Sequence, residues 1–200
     1  ENEENVMTAR DTAKLAYHLL NDFPEVLETS SKSSLNFKDG REYKNFNWML
    51  PGLIFAYEGV DGLKTGSTDF AGFCFTATAE RDGQRYISVV MKSTTKNERF
   101  ADTTKLLNYA FSSFDKEELV KEGDVPKKDN TVAVDKGKED SVKVETSEAL
   151  DLVIEKGTAK DYKTVVVIDK DKLNKDGELT APIKKGDKIG YVTVESKDDN

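Results

Sequence analysis

From about residue 117 to the end, the chain carries no helical period. The segments 131–134, 141–145, 150–154, 163–168 and 189–194 are short β-rich runs separated by Gly, Asp, Asn and Lys turns. Runs of that length at that spacing predict a small all-β sandwich. The first part reads differently. Thr8 can cap a helix over 8–23, with Asp11 three residues on and Ala13, Ala16, Tyr17 and Leu20 recurring at helical spacing. Residues 71–80 and 85–92 are β-rich and flank Asp82-Gly83, a strong hairpin signal, with a further short strand over 62–68. A second helix follows over 97–114, its Phe100, Thr103, Leu107, Ala110, Phe111 and Phe114 on one face, positioned to pack on the hairpin. The fold class is therefore α+β, an antiparallel sheet with helices over 1–116 and an all-β domain over 117–200. The charged stretch 116–130 reads as the linker between them.

Composition narrows the function classes. With 36% hydrophobic and 34% charged residues and a mean hydropathy of -0.63, the 200-residue chain has enough apolar material for a core and no apolar run long enough to span a bilayer. The formal net charge is -8, and no basic stretch can neutralise a row of phosphates, which argues against a nucleic-acid partner. One cysteine, Cys74, excludes an internal disulfide, and one histidine, His18, excludes a Cys/His zinc cluster, so no metal site is expected. The acidic start at Glu1, Glu3 and Glu4 is unlike a signal peptide. With no initiating Met and a helix that begins almost at once, a chain cut from a longer one is expected.

The chemistry-bearing segment is Gly59-Val-Asp-Gly-Leu-Lys-Thr-Gly-Ser-Thr-Asp-Phe-Ala-Gly72. Lys64 offers a fixed positive charge and Thr65 a hydroxyl donor. Gly66 leaves a strand position without a side chain, so a ligand can lie against the backbone. Lys-Thr-Gly belongs to the signature of β-lactamases and penicillin-binding proteins. The resemblance extends further: residues 7–11, Asn47-Trp-Met-Leu-Pro-Gly52 and 59–69, with the hairpin and helix after them, resemble the second half of the catalytic domain of low-molecular-weight penicillin-binding proteins. These are serine-type D-alanyl-D-alanine carboxypeptidases with a β-lactamase/transpeptidase-like catalytic domain. Residues 117–200, with Ala181-Pro-Ile-Lys-Lys-Gly-Asp-Lys-Ile-Gly190, resemble the β-rich C-terminal domain of that family.

The resemblance implies an enzyme that removes the terminal D-alanine of peptidoglycan stem peptides through an acyl-serine, binds β-lactam antibiotics and needs no cofactor. It implies that Lys64 and Thr65 hold the peptide's terminal carboxylate, that Gly66 leaves room for the ligand, and that the backbone N–H of Ser67 forms part of the oxyanion hole. It further implies work outside the cytoplasmic membrane, with membrane attachment only through a C-terminal anchor that this chain does not carry. The family's nucleophilic serine, its lysine partner and its Ser-x-Asn motif would precede this segment, so no catalytic nucleophile is assigned here and the isolated chain is expected to be inactive.

Pattern matches to those motifs do occur: Ser93-Thr-Thr-Lys96, Ser113-Phe-Asp-Lys116 and Ser34-Leu-Asn36. The first two follow Lys64 where the family order needs the nucleophile first, Ser93 falls between a strand and a helix, and Ser34 comes too close before Lys64. His18 has no paired Ser or Cys and reads as a partly exposed helix residue. Cys74 alternates with Phe73 and Phe75 as a small strand side chain, while Asp61 and Asp69 read as turn and strand-end residues. The competing reading is a non-catalytic extracellular β-rich spacer or protein-binding module in which Lys-Thr-Gly is accidental.

Overall fold

A computed structural model describes residues 6–126 and 130–197; the acidic ends at Glu1, Glu3, Glu4 and 198–200 lie outside the described residues. The chain divides into two compact units, Glu1–Ser113 and Phe114–Asn200. The class is α+β with antiparallel sheets, as the sequence predicts. Among the described residues, no helix is long and apolar enough to cross a membrane.

In the first unit, α1 (Ala9–Asp22) begins at Thr8, whose Oγ1 accepts from the Asp11 N–H at 3.1 Å and donates to the Asp11 carboxylate at 2.6 Å. One orphan N–H of the helix start is satisfied in this way, and the second bond ties the two side chains together. Ala16 and Leu20 face inward, but Tyr17, expected on that face, is 57% exposed. After Pro24 comes a short helix, α2 (Val26–Ser30). β1 (Ser34–Asn36) and β2 (Glu42–Lys44) pair around a turn at Asp39 and Gly40.

β3 (Val60–Thr68), β4 (Gly72–Arg81) and β5 (Gln84–Ser93) form an antiparallel sheet in the order β3-β4-β5. The β4–β5 turn places Asp82 at φ 51° and Gly83 at φ 75°. Two successive left-handed residues match the right-handed twist of the strands they join. α3 (Glu98–Ser113) starts with a reciprocal cap in which the Thr95 hydroxyl accepts from the Glu98 N–H while the Glu98 carboxylate accepts from the N–H groups of Thr94 and Thr95. The core lies between this helix, the sheet and the preceding loop: Met49, Leu50, Val60, Phe75, Ala77, Ala79, Phe100 and Leu107 are buried together, with Trp48 and Phe55 stacked on the set.

The second unit contains strands and two single turns of 3-10 helix. In chain order the strands are β6 (Phe114–Val120), β7 (Thr131–Asp135), β8 (Ser141–Lys143), β9 (Leu150–Glu155), β10 (Tyr162–Ile168), β11 (Leu179–Thr180) and β12 (Gly190–Ser196). β6 pairs with β9, β10 with β12, and β11-β7-β8 form a third small sheet in which β11 runs parallel to β7. The stretch read as a linker from 116 therefore begins inside a strand. Its charges misled: Lys116 and Glu118 are exposed while Glu117 and Leu119 are half-buried, the alternation of a strand rather than the composition of a solvated loop, and a register irregularity between Glu118 and Val120 precedes buried Val120.

Candidate functional site

β3 is the border strand of its sheet, hydrogen-bonded along one side to β4, with Lys64 opposite Thr76, Thr65 opposite Phe75, Gly66 opposite Cys74 and Ser67 opposite Phe73. Thr65 is largely covered, at 7% exposed, and Lys64, Gly66, Ser67 and Thr68 lie at the surface. The Lys64 ammonium folds back on its own strand and donates to the Thr65 carbonyl at 2.5 Å. At Gly66 a Cβ would meet nothing within 4 Å, and the residue does not have a left-handed φ. Neither backbone conformation nor packing among the described residues requires glycine there.

The start of the strand is fixed from several directions. Arg85 of β5 forms a two-pronged pair with Asp61, Nη1 to Oδ1 at 2.9 Å and Nη2 to Oδ2 at 2.8 Å, and also bonds Thr78 at 2.8 Å and the Glu80 carboxylate. The hydrogen bond that Arg85 donates to Asp61, joined by the field of both carboxylates, raises the Arg85 pKa above the ordinary arginine value against the cost of burial. Ser30 of α2 donates to the Asp61 carbonyl at 2.9 Å, and buried Asn47 donates to the Gly62 carbonyl at 3.2 Å. Gly62 itself is locked in place, since a Cβ would lie 2.9 Å from Ser30 Oγ and 3.0 Å from Thr78 Cγ2. Asp61 thus holds strands together through its side chain, from within β3 rather than from the turn or strand end that its sequence position suggested.

Behind Gly66 lies a group that residue-by-residue reading missed. Arg99 of α3 is 3% exposed, its Nη1 donates to the Gly66 carbonyl at 3.3 Å, and its guanidinium sits 4.8 Å from the centre of the Phe100 ring. Its Nε has no partner, and no carboxylate pairs with it among the described residues. Burial lowers its pKa from the ordinary arginine value. A cation held under the free border of a strand, one N–H unused, adds positive potential to that of Lys64. The available signal was its place four residues before Thr103, on the flank of the apolar stripe.

The other sequence candidates are dispersed. Ser93 ends β5 rather than lying in the connection after it, and its Oγ has no partner; the Lys96 ammonium lies over the Trp48 ring, 3.7 Å from its centre. Ser113 closes α3, while Lys116 pairs with Asp151 at 2.7 Å. Ser34 and Asn36 sit on β1. His18 is exposed and packs edge-on against Tyr17, and half-buried Cys74 points its thiol at the Ala71 carbonyl. Among the described residues, no three His, Cys, Asp or Glu side chains cluster as metal ligands.

Comparison with known proteins points the same way. Residues 1–95 match the family model for D-alanyl-D-alanine carboxypeptidase, and residues 114–200 match that for the penicillin-binding protein 5 C-terminal domain. The D-alanyl-D-alanine carboxypeptidase DacF of Bacillus subtilis (strain 168) is 37% identical over 142 residues, 71% of this chain and 34% of that protein. The peptidoglycan synthesis regulatory factor PBP3 of Streptococcus pneumoniae superposes with a TM-score of 0.77 at 33% identity, over 96% of this chain and 51% of its own. Penicillin-binding protein D2 of Listeria monocytogenes, solved in its cefotaxime-bound form, superposes with a TM-score of 0.51 at 39% identity, over 56% of this chain and 44% of its own. The chain thus spans about a third of the first relative and about half of the first structure.

Proposed function

We propose, from the premise that this chain belongs to the low-molecular-weight penicillin-binding proteins of the D-alanyl-D-alanine carboxypeptidase family, that it is the substrate-anchoring portion of a serine-type D-Ala-D-Ala carboxypeptidase. The observation that carries the reading is the free border at Lys64–Gly66, with a glycine that this chain's own packing does not need. A peptide laid along that border can bring its backbone against Gly66. Its terminal carboxylate meets the Lys64 ammonium and the Thr65 hydroxyl, in the potential added by buried Arg99. The Ser67 N–H supplies one donor to the oxyanion that develops on the penultimate D-alanine's carbonyl.

The attacking serine comes from outside this strand. It forms an ester to that carbonyl, the terminal D-alanine leaves with a proton, and water hydrolyses the ester. The same groups accept the carboxylate of a β-lactam, and no cofactor takes part. The substrate, a peptidoglycan stem peptide, places the protein outside the cytoplasmic membrane. The alternative, a non-catalytic β-rich spacer or binding module, is favoured only by the second unit, which carries none of these groups.

Fluorescent penicillin separates the two readings. The 200-residue chain alone is expected to stay unlabelled. The full-length protein is expected to be labelled, and Lys64→Ala to slow that labelling about 100-fold or more, the equivalent of losing a charged hydrogen bond of about 3 kcal/mol. Undiminished labelling of Lys64→Ala favours the spacer, and labelling of the isolated chain at Ser93 or Ser113 overturns the assignment of the nucleophile elsewhere.

A further inference from the structure

Part of the aliphatic surface of the second unit is not gathered into a core. In the β10–β12 ladder Val166 stands opposite Val192 and Ile168 opposite Gly190, and all four border a cleft of about 690 Å³. Residues two apart on paired strands share a face, so the ladder presents one of its faces to the cleft. Val142 of β8, Leu150 of β9 and Ile183 extend the aliphatic lining. These Val, Leu and Ile residues are half-buried, so the lining is apolar surface that the unit's own side chains do not cover among the described residues. The volume falls in the range of about 300–1,000 Å³ usual for small-molecule sites.

The lining decides what chemistry can enter. Val, Leu and Ile side chains offer a hydroxyl or amide nothing to pair with, and burying such a group without a partner is costly. The hydroxyl of Thr146, also on the lining, is already donated to the Lys121 carbonyl at 2.6 Å. An alkyl chain needs no partner and gains dispersion contacts with every carbon of the wall.

Charge at the cleft favours one kind of head group. Lys184, Lys185 and Lys188 border it from a single exposed loop, in a chain whose net charge is -8. The carboxylate of that loop, Asp187, accepts from the Lys184 N–H at 2.8 Å and so closes the loop's own turn. The lining stretch 142–150 adds Lys143, Glu145 and Glu148. Among the described residues none of these four lysines or two glutamates is in an ion pair. Four uncommitted ammonium groups against two uncommitted carboxylates attract an anion, most strongly at the loop.

We infer that the cleft of the second unit binds a single alkyl chain with an anionic head, the chain against Val166 and Val192 and the head at Lys184, Lys185 and Lys188. Carboxylate and phosphate heads share this chemistry. The occupant is a free amphiphile rather than a bilayer, because the aliphatic residues line a cleft instead of projecting from a surface. Nothing in this inference depends on the role proposed for Lys64.

The test titrates the full-length protein by calorimetry with dodecanoate, dodecyl phosphate and dodecylammonium, each below its micellar concentration. Both anions are expected to bind about tenfold more tightly than the cation, and decanoate about tenfold more weakly than dodecanoate, as the loss of two buried methylenes requires. Val192→Phe, which fills the cleft, is expected to weaken dodecanoate binding about tenfold or more. Lys184→Gln, Lys185→Gln and Lys188→Gln combined are expected to bring anion and cation within about twofold of each other. Should Val192→Phe fail to keep the parental unfolding midpoint, Val142→Phe fills the cleft from another strand. Absence of dodecanoate binding, binding that the filling variant leaves intact, or equal affinity for anion and cation in the parent overturns the inference. So does co-sedimentation with phosphatidylglycerol vesicles that Val192→Phe leaves intact and the lysine variant abolishes, if dodecanoate itself does not bind: the loop would then meet a charged bilayer surface and the cleft would hold nothing.

Discussion

The sheet of the first unit and the sheets of the second are held by different means. Under β3–β5, eight apolar side chains are buried as one cluster, and the aromatic rings of Trp48, Phe55, Phe75 and Phe100 pack on one another. In the second unit the buried apolar side chains among the described residues are Val120, Val132, Ile154 and Leu179. Between its strands lies a cleft of about 690 Å³ lined by Val120, Val142, Leu150, Val166 and Val192. Thin alternating strands suffice to fold a small domain. β3, which carries Lys64, Thr65 and Gly66, is instead fixed by dense packing below it and by side-chain hydrogen bonds at one end.

The sharpest way to break this comparison is to remove one buried side chain from each unit. Phe100→Ala, fully buried and in contact with three other rings, is expected to destabilise the first unit by about 4 kcal/mol. The single tryptophan, Trp48, packs on that core, so its fluorescence in denaturant reports the loss. Ile154→Ala is expected to cost about 2 kcal/mol, read from hydrogen exchange of β9 amides, because less of its surroundings is packed tightly. Equal costs would end the distinction between the units. A smaller effect is expected at the clamp: Arg85→Met leaves the Asp61 carboxylate half-buried without its partner, costing about 2 kcal/mol or less by the same fluorescence measurement. If that change is neutral, the Asp61–Arg85 pair does not hold β3.

What the sequence made legible follows from how local each signal is. The hairpin at Asp82-Gly83, the cap at Thr8 and the core face of α3 each depend on residues within one turn or one helix, and each is found where the pattern puts it, save that Phe114, read onto the end of that helix, opens β6. β6 was hidden because its outward positions carry the charges of a linker, and its identity comes from pairing with β9 some thirty residues later. β11 has two residues and is defined by its parallel partner β7 and a bridge from Leu179 to Leu173. The same distinction divides the candidate site. Lys64, Thr65 and Gly66 are contiguous and readable as a motif, whereas Arg99 and Arg85 reach β3 through tertiary packing, and a charged residue on a helix is ordinarily read as solvated.

Gly66 gives the most direct test, since none of the described residues occupies the space its Cβ would fill. In the full-length protein, the second-order rate of acylation by a penicillin should fall about 100-fold in Gly66→Ala, while the Trp48-reported unfolding free energy stays within about 0.5 kcal/mol of the parent. A methyl group that the fold accepts and the ligand does not would identify this border as the place where substrate lies. Acylation at the parental rate would show that no ligand approaches the strand there, and the account of Lys64–Ser67 as an anchor would be wrong.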